Sequence, residues 1–290
     1  MSRRIVYSPL HHLFSAIWLN YDPRKKYVIM VTAYTIYGDA SGNSVPGDIF
    51  CVAGFGSTAQ KWIRFEQQWN VLLKRYDIPA PFHMTDFANG GGKYKHWRQN
   101  HGAQEAQFFV EAIKLLKRNV NKSFGVGVAI DDLKCMQATY QLPDDINNDS
   151  PYAWCTLLFY HQVSAWFRKQ HGPSDTIEVI FERGDMGQPA FPNRLRKLYP
   201  KLELPIFRDK SCAPLQAADM LAWEFRKDIR TRQLPSPTRE SFVGMFHQIP
   251  HHWQYCTLGD LSRICENHGF PKRSDSDVRP LTSRRKHSVE

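Results

Sequence analysis

The sequence predicts an α/β domain: a mixed β-sheet flanked by helices. Three observations carry this. Two β-branched, aromatic segments separated by a short Gly/Asn/Pro link open the ordered region as a hairpin. Helical and strand patterns then alternate along the chain, which argues for one mixed sheet rather than separate all-α and all-β parts. A hydrophobic fraction of 42 % in 290 residues supplies a sizeable core and excludes a disordered chain.

Residues 1–30 differ from the rest of the chain, with no clear period and a charged break at Asp22-Pro23-Arg24-Lys25-Lys26. They read as an extension, and one explanation is an upstream start with Met30 as the true initiator. Val31 to Tyr37 reads as the first strand, stopped by the turn Gly38-Asp39-Ala40-Ser41-Gly42, and Ile49 to Phe55 as the second. Trp62, Phe65, Trp69, Leu72, Leu73 and Tyr76 then recur at helical spacing behind a Thr58 cap. A loop holds Phe82-His83-Met84-Thr85-Asp86-Phe87 and Gly90-Gly91-Gly92. Further on come a helix over 104–118, a strand over 124–130, a helix over 153–169 and a strand over 176–181 ending at Glu182. A short helix over 194–199, a short strand over 204–207 and a strong helix over 215–229 complete the domain, which spans 31–230. Residues 231–270 read as a helical extension and 271–290 as a disordered basic tail.

The function classes narrow from composition. No run of about 18 apolar residues exists, so no membrane span is expected. Arg3 and Arg4 precede an apolar stretch broken by His11, His12, Asn20 and Asp22, a poor secretory signal. Six cysteines without a C-x-x-C pair read as buried thiols of a reducing, cytoplasmic protein rather than a zinc ribbon or disulfide framework. A net charge of +10 favours a polyanionic partner, nucleic acid above all, although part of the excess sits in the tail.

Three acids stand where an α/β site wants them. Asp39 closes the first strand, Glu182 closes a later one with Asp185 three residues on, and Asp219 flanks the apolar stripe of the last strong helix. Open sheets gather ligands at the carboxyl ends of their strands. Converging carboxylates suit metal-assisted phosphoryl transfer, in which paired divalent ions about 4 Å apart neutralise the attacking and leaving oxygens. Mg²⁺ or Mn²⁺ is the expected cofactor, since hard ions take carboxylate oxygens. Each acid also has a structural alternative: Asp39 as a turn-former, Glu182 or Asp185 as a capping surface acid, and Asp219 as the ion-pair partner of Arg226. Glu66 reads as part of a solvated helix face. His83 and Asp86 form a His-x-x-Asp pair able to orient substrate, bind metal or move a proton; a satisfied loop histidine is the alternative. Lys93, Tyr94, Lys95, His96, Trp97 and Arg98 interleave basic and aromatic residues, a pattern that suits backbone contact with base stacking. No G-x-S-x-G and no phosphate-binding loop is present.

Asp39-Ala40-Ser41-Gly42, the Phe82-His83-Met84-Thr85-Asp86 loop and Pro214-Leu215-Gln216-Ala217-Ala218-Asp219-Met220-Leu221-Ala222 together resemble the DUF3800 family, over roughly residues 34–229. The Leu-Gln-x-Ala-Asp-x-Leu-Ala signature is the most specific part. That family is a domain of unknown function found in bacteria and their mobile elements, and the resemblance implies a ribonuclease H-like fold. It further implies an acidic triad of Asp39, Glu182 and Asp219, with Ser41, His83, Asp86, Asp185 and Gln216 as accessory residues. The family usually carries Asp-Glu-Ser-Gly, so Ala40 removes one acid from the pattern. The expected function is a metal-dependent nuclease or phosphodiesterase, with Lys93, Lys95, Arg98 and Lys210 contacting phosphates. The alternative is a non-catalytic nucleic-acid-binding protein of a phage-defence or mobile-element system.

Overall fold

A computed structural model describes residues 34–143, 150–171, 177–184, 192, 195–196, 204–232, 244 and 249–274. The proposed N-terminal extension, Asp185, most of the short helix expected over 194–199 and most of the basic tail lie outside these residues. Among them, no helix is long and apolar enough to cross a membrane.

The fold is α/β, a mixed six-stranded sheet in the order β5-β4-β1-β2-β3-β6 with helices on both faces. Its strands are β1 (Tyr34–Ser41), β2 (Ile49–Thr58), β3 (Lys122–Ala129), β4 (Ile177–Glu182), β5 (Ile206–Arg208) and β6 (His251–Cys256). The helices are α1 (Ala59–Arg75), α2 (Met84–Asn89), α3 (Tyr94–His101), α4 (Glu105–Asn119), α5 (Ile130–Thr139), α6 (Pro151–Gln170), α7 (Ala213–Arg232) and α8 (Leu258–Asn267). β1, β2 and β3 form an antiparallel meander, as the hairpin signal predicts. β4 joins β1 in parallel, β5 joins β4, and β6 joins β3.

Both sheet faces are buried, and the two-residue period of the strands sorts side chains between two cores. Tyr37, Cys51, Ala53, Phe55 and Ile180 point to the side covered by α1, α4 and α7. Ile36, Phe50, Val52, Phe124, Val126, Val179 and Phe181 point to the side covered by α5, α6 and α8. The sheet centre is tight: a Cβ on Gly54, which pairs with Gly38, would lie 2.1 Å from the Tyr37 carbonyl oxygen.

Several expectations are corrected. Gly38 to Ser41 is strand rather than turn, because pairing with β2 as far as Cys51 extends β1 through Asp39. Thr58 occupies the cap position of α1, but its hydroxyl makes no capping bond. The stretch expected to be only helical beyond residue 230 supplies β6, whose exposed side chains hide its strand character at the sheet edge. Cys135 is exposed, while the other five cysteines are buried. Glu66 is buried at 5 % exposure rather than solvated.

Candidate acidic site

Register brings the first two acids together. Gly38 of β1 pairs with Phe181 of the parallel β4, so Asp39 and Glu182 are the next residues on adjacent strands. Two positions before them, Tyr37 and Ile180 both enter the α7-side core, so by alternation Asp39 and Glu182 face α7 as well. There α7 lays Leu215, Ala218, Ala222, Phe225 and Ile229 against the sheet and carries Asp219, 5 % exposed, toward the strand ends. Asp39 is equally buried at 4 %.

All three carboxylates meet one ammonium. Lys210 Nζ lies 3.2 Å from Asp39 Oδ2, 2.6 Å from Glu182 Oε2 and 3.3 Å from Asp219 Oδ2. Lys210 sits in the short link between β5 and α7. Its carbonyl oxygen accepts from Gln216 Nε2 at 2.9 Å, which fixes the backbone from which the side chain reaches inward. Asp219 Oδ2 also accepts from the Met84 amide at 2.7 Å, tying α2 to the cluster. Asp39 Oδ1 accepts from the Ala40 amide at 2.9 Å.

Three carboxylates against one ammonium leave a formal surplus of two negative charges. The titration of the acids reflects this. Burial, then the charge of Asp39, pushes Glu182 up to about 8 and Asp219 up to about 6, despite the opposing pull of Lys210. Between the unfolded and folded values the native chain therefore binds more protons than the unfolded one, and its stability falls as pH rises. Wild type is expected to lose stability between about pH 4.5 and about pH 8, the upper part of the loss belonging to Glu182. Urea denaturation of Glu182→Gln at pH 6 and pH 8 should show a flatter dependence; a slope equal to that of wild type would contradict the placement.

The cluster floors a cleft of about 420 Å³ that also reaches Ser41, His83, Arg183 and Arg226. His83 Nδ1 lies 3.1 Å from Asp86 Oδ2, and the pair stands at the rim, with Asp86 itself half-exposed. Gln216 does not line the cleft. It stands behind it, accepting from Trp69 Nε1 at 2.8 Å and the Phe82 amide at 2.9 Å. Arg226 is not the partner of Asp219; its guanidinium bonds Asp48 and the Ile49 carbonyl.

The basic-aromatic segment is corrected. Tyr94 and Trp97 are 0 % and 3 % exposed, so neither ring is free to stack on a base. The Tyr94 hydroxyl accepts from the His83 amide at 2.8 Å, and Trp97 Nε1 donates to the Tyr76 carbonyl at 2.6 Å. Of the basic residues, Lys93 donates to the Pro81 carbonyl, and Arg98 pairs with Glu105 at 3.2 Å. Lys95 and His96 are exposed on the outer face of α3. Lys210 is committed to the acids rather than displayed to solvent, with 11 % side-chain exposure.

The sequence reading missed Lys210 as the common partner of the acids, and Arg183 as a rim residue; the position of Arg183 directly after Glu182 is the signal that would have found it. Among the described residues no group of three or more His, Cys, Asp or Glu side chains stands as a ready metal cage. In the acidic cluster the ammonium takes the middle. The donor set itself, three buried or half-buried carboxylates with surplus charge, fits a hard divalent ion once that ammonium moves aside. No family model matches this chain, and no curated protein matches it.

Proposed function

We propose that the chain is a metal-dependent nuclease or phosphodiesterase of ribonuclease H-like fold, acting on nucleic acid through Asp39, Glu182 and Asp219. The observation that carries this reading is the meeting of three carboxylates from β1, β4 and α7 at one point, short of positive charge. The antiparallel meander continued by parallel strands β4 and β5 supports the fold assignment. Mg²⁺ or Mn²⁺ held by the three carboxylates supplies Lewis-acid stabilisation of charge on a phosphodiester. The chain's own groups do the rest. Lys210 holds the carboxylates together in the metal-free protein. His83, with one ring nitrogen facing Asp86, keeps the other for a phosphate oxygen or a proton. Ser41 and Arg183 line the approach, and the exposed Lys95 adds cationic surface for the backbone.

A second reading, a non-catalytic nucleic-acid-binding protein, is favoured by one observation: Lys210 already gives the acids a resident counter-ion. Calorimetric titration of Mn²⁺ and Mg²⁺ into wild type and Asp39→Asn separates the two. Wild type is expected to bind, with affinity rising between pH 6 and pH 8 as Glu182 and Asp219 release protons, and Asp39→Asn to lose binding. Metal-dependent cleavage of RNA or DNA by wild type and not by Asp39→Asn completes the case. Absence of divalent binding and of cleavage, with nucleic acid present, would leave only the second reading.

A further inference from the structure

On the opposite face of the sheet from the acidic cleft, a pocket of about 740 Å³ opens between α6, α8 and the β3–β6 edge. Its volume lies in the range of small-molecule sites. Its charge is the inverse of the acidic site. Lys122 from the start of β3, Lys169 from the end of α6, and His161, His252 and His268 line it, and among the described residues no Asp or Glu does.

The placement follows from strand alternation. Lys122 precedes Phe124 and Val126 on the α6-facing side of β3, and the register sets His252 and Gln254 of β6 opposite those two residues. Two ammonium groups, Lys122 and Lys169, are thereby brought to a pocket that no Asp or Glu lines among the described residues.

The second observation is Gln162. Its side chain lines the same pocket and is 8 % exposed, yet both its amide oxygen and its amide nitrogen lack a hydrogen-bond partner among the described residues. Buried side-chain amides are ordinarily satisfied, because leaving one unpaired costs about 1–3 kcal/mol per group. A donor and an acceptor side by side match the edge of a nucleobase. Trp166, half-buried beside them, is held by Phe124 and Tyr34 at ring separations of 5.1 and 5.5 Å. The Lys122 ammonium lies over the same ring, 5.5 Å from its centroid, so a base beside this indole would be next to a phosphate-binding cation.

We propose that this pocket binds a nucleoside monophosphate group, its phosphate held by Lys122, Lys169 and His252, its base against Trp166 and Gln162. Two sources carry that chemistry: a free mononucleotide and the 5′-phosphorylated end of a strand. Burial, then neighbouring positive groups, lowers both His161 and His252, and burial lowers Lys122.

The test is titration of AMP, GMP, CMP, UMP, adenosine, inorganic phosphate and a 5′-phosphorylated oligonucleotide into the full chain, read by calorimetry and tryptophan fluorescence. At least one monophosphate or the phosphorylated oligonucleotide is expected to bind more tightly than adenosine or phosphate alone. Lys169→Gln, a change at an exposed position outside the core, and Gln162→Leu should each weaken binding about tenfold, a change of about 1.4 kcal/mol. Lys74→Gln, exposed on a helix of the other face, should bind as wild type does. Preference among the ligands tells a free nucleotide from a strand end. No binding by any of these ligands, inorganic phosphate binding as tightly as the nucleotides, binding unchanged by both pocket variants, or binding lost in Lys74→Gln would overturn the proposal. None of these outcomes bears on divalent binding at the acidic cluster, so the two readings fail independently.

Discussion

Lys210→Met is expected to lower the stability of the metal-free chain by roughly 3–5 kcal/mol near pH 8, the cost of removing one partner from a buried ion-pair cluster. The ammonium is shared by Asp39, Glu182 and Asp219 within 3.3 Å, and two of those acids are almost fully buried. Burial alone would pull the Lys210 pKa down, but Asp39, Asp219 and Glu182 together more than reverse that and hold it above its ordinary value. A cation whose folded pKa is raised contributes its full stabilisation below its unfolded pKa of about 10.4 and loses it only as pH climbs through the folded value. At neutral pH the whole contribution is therefore present in wild type and missing in the variant.

The deficit should shrink on acidification, because protonated Glu182 and Asp219 no longer need the ammonium. Thermal melts of Lys210→Met at pH 5 and pH 8, with and without Mn²⁺, check both halves of the argument. If the carboxylates serve a divalent ion, Mn²⁺ raises the melting temperature of the variant more than that of wild type, since the ion no longer competes with a resident cation. A variant as stable as wild type at pH 8 would mean that Lys210 does not neutralise the cluster.

How much of this was legible in the sequence differs by residue. The sheet core was, because β1, β2 and β4 carry β-branched and aromatic residues in a two-residue period with both faces buried. Asp39, Glu182 and Asp219 were legible as acids at strand ends and beside an apolar stripe. The role of Lys210 was not: a lysine near an acidic motif reads as a phosphate contact, and only the fold decides whether it points outward or in. Tyr94 and Trp97 show the same limit, since aromatics three apart between basic residues describe equally an amphipathic helix with its rings buried. β6 escaped because an edge strand with exposed His251, His252 and Gln254 carries no core alternation.

Gln216→Leu is expected to be at least as damaging as the loss of Lys210. The leucine removes one acceptor shared by two donors and one donor to a carbonyl, stranding the Trp69 indole N–H, the Phe82 amide and the Lys210 carbonyl. Trp69 and Phe82 are fully buried, so water does not replace the lost partners. At about 1–3 kcal/mol for each of the three stranded groups, the total comes to roughly 3–9 kcal/mol. The effect should also reach the acids. Gln216 and Asp219 lie three residues apart on one face of α7, and between them they hold both ends of Lys210, its carbonyl by the amide and its ammonium by the carboxylate. That is a physical reason for a glutamine and an aspartate to share this helix at this spacing. A double-mutant cycle with Lys210→Met measures the coupling, because two residues acting through one side chain give a combined loss smaller than the sum. Strictly additive losses in urea denaturation would show that Gln216 supports only Trp69 and Phe82, and that Lys210 finds the carboxylates without it.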